Sequence, residues 1–134
     1  MLGYLTCPVY NASKVGVDGF SEGLSHELAQ FRVKVKVVAP GEMQNDFAGG
    51  SLQGAMHTAY AHLTSKVSEG YSEEQMANST KAEDVADTVF AAVTDGKDQL
   101  RYVLGKDAIG LYSDRFEIDP EAQAQKIRTV LYFN

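Results

Sequence analysis

The sequence is short of the features that mark secreted, membrane-spanning and nucleic-acid-binding proteins. It has one cysteine, Cys7, so no internal disulfide can form and a small disulfide-stapled scaffold is excluded. Positive charge is scarce, with 12 Lys+Arg against 18 Asp+Glu and a net charge of −6. An acidic chain, pI ≈ 4.9, lacks the basic surface that nucleic acid or an anionic membrane demands of a main partner. No run approaches the roughly 18 consecutive apolar residues of a membrane span. Residues 1–10 carry neither a basic segment nor the apolar run of a signal peptide. Repeats and low-complexity tracts are absent too. What remains is a composition of 44% hydrophobic and 22% charged residues over 134 positions, that of a soluble globular protein. At about 150 residues per domain this length holds one domain, residues 1–134, expected in the cytoplasm.

The spacing predicts a helix over 8–31. Pro8 opens it where the missing N–H would be unpaired in any case. At about 100° per residue, Val17, Phe20, Leu24, Leu28 and Phe31 share one arc. Ala12, Gly16, Gly19 and Gly23 form a second arc beside it, and Asp18, Glu22, Ser25 and His26 take the remaining side. Each interior glycine costs about 1 kcal/mol relative to alanine. A helix that keeps three of them needs an offsetting gain, such as the close approach of a second helix or a ligand. Residues 33–39 read as a β-branched strand that ends at the Pro40-Gly41 turn. Residues 42–50 read as a loop, 51–69 as a weak helix with Leu52, Met56, Tyr60 and Leu63 at helical spacing, and 70–78 as a polar break. Thr80 and Glu83 have capping-box spacing. The helix they open carries Val85, Val89, Ala92 and Val93 on one face and stops near Asp95-Gly96. A second strand over 100–104 is closed by Gly105, and a last helix spans 120–131. This order is that of an α/β fold whose two strands run parallel. Two strands make a marginal sheet, and parallel strands normally need cover on both faces. The helices suit a larger sheet than the one the chain supplies.

Tyr10 and Lys14 are the residues with the clearest chemistry. At i and i+4 they share a helix face, with Cβ atoms about 5–6 Å apart. That face runs on into the apolar stripe, which predicts partial desolvation of both groups. A phenol in water ionises near pH 10 and is a poor acid–base catalyst at neutrality. An adjacent ammonium favours the phenolate and brings it toward the working range. On spacing alone such a pair is more often a solvated surface contact, so its context decides.

That context is Tyr10-Asn-Ala-Ser-Lys14 on a glycine-bearing helix, continued by Phe20-Ser-Glu-Gly-Leu24 and Glu27-Leu28, then a valine-rich strand ending in Pro40-Gly41. A Glu83-to-Ala86 helix start and Arg101-Tyr-Val-Leu-Gly105 follow. The ordered set resembles the short-chain dehydrogenase/reductase family over nearly the whole chain, most specifically over 8–41. The resemblance implies the C-terminal part of a Rossmann-like, doubly wound parallel sheet, truncated here to about two strands with flanking helices. It implies an oxidoreductase that transfers a hydride between a nicotinamide cofactor, NAD or NADP, and a small carbonyl or alcohol substrate. Tyr10 would then be the general acid/base, and Lys14 would assist it and bind the ribose hydroxyls. Pro40, Gly41 and Asn45 would approach the nicotinamide, Asn45 standing where the family usually has threonine. Residues 42–79 would form the substrate lid, and helix 8–31 would mediate homo-oligomerisation.

The family's glycine-rich cofactor turn, its catalytic serine and its tetrad asparagine have no counterpart here. Gly49-Gly50 and Gly54 follow no strand, and Thr6 and Cys7 stand too close to Tyr10 to replace the serine. The chain is therefore expected to represent the C-terminal half of such an enzyme and not to bind cofactor tightly alone. The alternative is a non-catalytic remnant or a homodimerising interaction module. Other readings fail: His26-Glu27-Leu-Ala-Gln30 has glutamine where a zinc helix needs its second histidine. His57 and His62 lack partners at ligand spacing, so no metal is expected. Cys7 reads as a small apolar residue without a paired histidine. The sequons at Asn11 and Asn78 lack a secretory context.

Overall fold

The computed structural model describes residues 6–44, 55, 57–69 and 79–132. Its elements are α1 (Pro8–Ala29), β1 (Val37–Pro40), a 3-10 turn (Thr58–Tyr60), α2 (Ala61–Glu69), α3 (Ala82–Thr94), β2 (Arg101–Leu104), α4 (Lys106–Glu117) and α5 (Pro120–Tyr132). β1 and β2 pair in parallel with Val37 opposite Arg101 and Pro40 opposite Leu104. The expected α/β order and parallel pairing hold.

Pro8 lies in the first turn of α1, as its missing N–H predicts. The helix ends at Ala29 rather than residue 31, because Arg32 turns to φ +59° and the Val33 N–H folds back to the Leu28 carbonyl at 3.2 Å. The strand expected over 33–39 is shorter and later. Its partner begins only at Arg101, so residues 33–36 have no ladder to join. Lysine side chains bridge that gap instead: Lys34 Nζ donates to the Gly96 carbonyl at 2.8 Å, and Lys36 Nζ to those of Lys97 and Gln99 at 2.7 and 2.9 Å. Lys36 also lies 5.3 Å from the Tyr102 ring centroid, and Tyr102 Oη donates to Asp95 at 2.8 Å. The Lys97 N–H, which Asp95 accepts, holds the Asp95 carboxyl below the usual range, and Tyr102 adds to this.

Thr80 does not cap α3. The cap position belongs to Lys81 with no side-chain bond, and Thr80 forms a parallel bridge with Met43. Engaging Thr80 in the ladder moves it out of reach of the first helical turn, where Glu83 and Asp84 still complement the helix dipole. Ala92 of α3 is buried at 2% exposure. Its stripe companions Val89 and Val93 are exposed, a departure from the expected buried face.

Helix α4 was not anticipated from the sequence. It follows Gly105, whose φ of +93° lets the chain turn from β2 directly into a helix. Asp119 Oδ1 then accepts the N–H groups of Glu121 and Ala122 at 2.8 and 2.9 Å and starts α5. Gln123, 3% exposed, ties α5 to α4 by donating to the Leu111 carbonyl at 2.7 Å.

The polar side of α1, not its apolar stripe, meets the sheet. Arg101 Nε donates to Asp18 Oδ1 at 3.0 Å and Arg101 Nη2 to Glu22. Val17, Phe20 and Phe31 remain exposed, Leu24 and Leu28 are half-buried, and among the described residues nothing stands within 4 Å of a side chain added at Gly16, Gly19 or Gly23. Among the described residues, no helix is long and apolar enough to cross a membrane.

Candidate active site

Tyr10 and Lys14 come together as their i, i+4 spacing requires. Lys14 Nζ lies 5.3 Å from the Tyr10 ring centroid, a cation–π distance. Tyr10 is half-buried but Lys14 is exposed. The expected desolvation of both groups is thus corrected for Lys14, because the apolar stripe beside it is uncovered. Ser13, inside the motif, is used locally: its hydroxyl donates to the Tyr10 carbonyl at 2.7 Å.

Arg101, first in β2, meets Asp18 and Glu22 midway along α1. A groove lined by Glu22, His26, Arg32, Lys34, Asp98 and Leu100 among others borders the residues that precede the two strands.

Pro40 closes β1, and Gly41 extends the ladder by one bond, its N–H donating to the Leu104 carbonyl at 2.8 Å. Beyond it the chain is held on two sides. Glu42 N–H donates to Asp107 Oδ2 at 2.7 Å, the Glu42 carbonyl accepts from Thr80 N–H at 2.8 Å, and Gln44 N–H donates to the Thr80 carbonyl at 3.1 Å. A Cβ at Gly41 would overlap the Asp107 carboxylate, so that side chain would have to move aside. Gly105 faces the same crowding, since its Cβ would lie 2.7 Å from both Asp107 Oδ1 and Thr80 Oγ1. Glu42 Oε1 is buried without a hydrogen-bond partner. Burial first, and the charge of Asp107 second, push the Glu42 carboxyl above the ordinary carboxylate range.

Asn45, Met56 and most of the expected lid lie outside the described residues. Of its other polar residues, His57 Nδ1 accepts from the Ala59 N–H at 3.2 Å and its ring meets Tyr60 edge-on, while His62 is exposed. Among the described residues no group of three His, Cys, Asp or Glu is placed to hold a metal ion. Sequence reasoning missed Arg101, Glu42 and Asp107. Arg101 was read only as part of a strand, although the Asp18/Glu22 spacing made a two-carboxylate receptor for a cation on one helix face.

Open α/β sheets bind their ligands outside the carboxyl ends of parallel strands such as β1 and β2. The family model for short chain dehydrogenase matches residues 1–55. An uncharacterized oxidoreductase of Schizosaccharomyces pombe is 28% identical over 120 residues, covering 87% of this chain and 50% of the relative. Retinol dehydrogenase 16 of Rattus norvegicus is 32% identical over 116 residues, 77% of this chain and 37% of its own length. Carbonyl reductase family member 4 of Danio rerio is 43% identical over a shorter stretch of 42 residues, 31% of this chain and 18% of the relative. No solved structure matches the chain. These similarities support reading the chain as part of the short-chain dehydrogenase/reductase family. It spans about half the length, or less, of the curated relatives it matches.

Proposed function

We propose that the chain supplies the proton-transfer and nicotinamide-facing part of a cytoplasmic oxidoreductase acting on a small carbonyl or alcohol substrate. The observation that carries this reading is the Lys14 ammonium 5.3 Å from the Tyr10 ring. Tyr10 presents a phenol to a substrate oxygen, donating its proton as a carbonyl is reduced and accepting one as an alcohol is oxidised. Lys14 offers N–H donors to vicinal hydroxyls such as those of a ribose. These donors fit the ribose end of NAD or NADP, which when bound supplies or accepts the hydride. Pro40 and Gly41 would face that end of the cofactor.

No glycine-rich turn follows a strand in this sequence, so the isolated chain is expected to bind NADH and NADPH weakly. The test joins it to the preceding segment of the S. pombe oxidoreductase and follows NAD(P)H turnover with aldehydes and ketones. Lys14→Met should raise the cofactor KM and lower kcat together, the combined loss being about 10²-fold. Unchanged constants would contradict the role given to Lys14.

The open face of α1 favours a second, compatible reading, a homodimer through that helix. Gly16, Gly19 and Gly23 have free space beside them and Val17 and Phe20 are exposed. Sedimentation of the chain should show a dimer that Gly19→Leu dissociates. A compact dimer without cofactor affinity would favour the interaction module over the enzyme.

A further inference from the structure

We propose that Asp107 is a positioning residue that fixes the segment Gly41–Gln44, and through it the floor of the site, from the first turn of α4. The inference rests on the reading that the chain beyond Pro40-Gly41 faces the nicotinamide, and it adds the residue that holds that chain in place.

Three independent features converge on the Asp107 carboxylate. One oxygen, Oδ2, accepts the Glu42 N–H at 2.7 Å, the short distance of a charge-assisted bond. The carboxylate occupies the space that side chains at positions 41 and 105 would fill, so two glycines on different strand ends make room for one acid. The segment it grips is also bonded by Leu104 and Thr80, so a pull at Glu42 acts on an otherwise fully tied stretch. Asp107 sits in the first turn of α4, where an acid also complements the helix dipole, yet its carboxylate accepts from an amide 65 residues back along the chain. A residue needed only to cap its helix would bond to its own first turn. Asp107 instead joins the end of β1 to the start of the helix after β2, coupling the two strand ends at the sheet's carboxyl edge. The charged groups around it are Glu42 and, in sequence, Lys106. Glu42 repels its charge, while the backbone amide of Glu42 donates to it directly.

The test uses the full 134-residue chain. Amide exchange at Glu42 is followed by NMR in the wild type, Asp107→Ala and Asp107→Asn, and each is then titrated with reduced nicotinamide mononucleotide, which needs no glycine-rich turn. Asp107→Ala should speed Glu42 exchange about 10- to 100-fold, the loss of one charge-assisted hydrogen bond. Asp107→Asn keeps an acceptor oxygen and should restore protection to within about threefold. In the wild type and Asp107→Asn the mononucleotide should shift the Gly41 and Glu42 amides; in Asp107→Ala it should not. Unchanged Glu42 protection in Asp107→Ala, or no rescue by asparagine, overturns the positioning role. If Glu42 responds to the substitutions as stated but the mononucleotide shifts nothing in any form, the tether stands and the nicotinamide-facing reading fails instead.

Discussion

Removing the Arg101 guanidinium should loosen α1 from the sheet more than any single apolar substitution on that helix. Arg101 is 24% exposed and holds Asp18, 23% exposed, through a 3.0 Å bond, and Glu22, 50% exposed, through a second. These bonds, to Glu22 first and then Asp18, push the Arg101 pKa up. An exposed ion pair contributes about 0.2–1 kcal/mol. A fork held by two half-sheltered carboxylates stands above that range, because hydrogen bonds to charged groups contribute about 1.5–3 kcal/mol each before discounting for solvent. Arg101→Ala also leaves the like charges of Asp18 and Glu22 at i, i+4 without the guanidinium between them, a further ~0.3 kcal/mol. Together these give a loss of about 1–3 kcal/mol, or roughly 5–10 °C in Tm for a chain of this size. Because the apolar stripe of α1 is exposed, little else compensates. The assay is hydrogen exchange on the full chain at low salt, comparing α1 amides around Asp18 with those of α3. Exchange in α1 should quicken about tenfold or more while α3 changes little, and Arg101→Lys should recover only part, since an ammonium cannot grip both acids as a fork. Raising salt to about 1 M should narrow the difference between wild type and Arg101→Ala. Equal α1 protection in wild type and Arg101→Ala at low salt would refute the claim that this fork docks the helix.

Gly41→Ala should cost about 1–3 kcal/mol by driving a methyl into the Asp107 carboxylate; thermal melts should show the added cost largely absent when Asp107 is already alanine. Glu42→Gln should raise Tm at neutral pH by about 1–3 °C, since it replaces a buried, unpartnered oxygen and a repelling charge. The pKa of Glu42 is raised on folding, so the native state binds the extra proton. The wild type therefore gains stability relative to Glu42→Gln as pH falls through that raised value, and the two melts should converge below the ordinary glutamate range. A gain that persisted undiminished at low pH would contradict the burial of an ionised Glu42.

Much of the frame was legible in the sequence because it depends on local pattern. Pro8 and the glycine-broken stripe gave α1, Asp95-Gly96 ended α3, Gly105 ended β2, and the helix between strands made the pairing parallel. What escaped was set by contacts across the chain. Lys34 and Lys36 look like outward residues of a strand, but their ammoniums bind the 96–99 carbonyls because no partner strand reaches them. Thr80 fits a capping box by spacing, yet its bridge to Met43 takes precedence. Helix α4 carries Gly110 near its centre and follows a strand-closing glycine, so local propensity concealed it. At the site, the Tyr10–Lys14 pair followed from i, i+4 geometry alone. Asp107 could not be found that way, since its role depends on Glu42, 65 residues earlier.

The central claim is that Tyr10 transfers the proton in a nicotinamide-dependent redox reaction. Its most direct test is the turnover of Tyr10→Phe in the chimeric enzyme joined to the S. pombe segment, measured against the unsubstituted chimera. Phenylalanine keeps the ring and its contact with Lys14 but removes the only proton it could give. The account predicts a fall in kcat of about 10²- to 10⁴-fold with cofactor binding largely retained. A Tyr10→Phe enzyme turning over within about threefold of the unsubstituted one would contradict it.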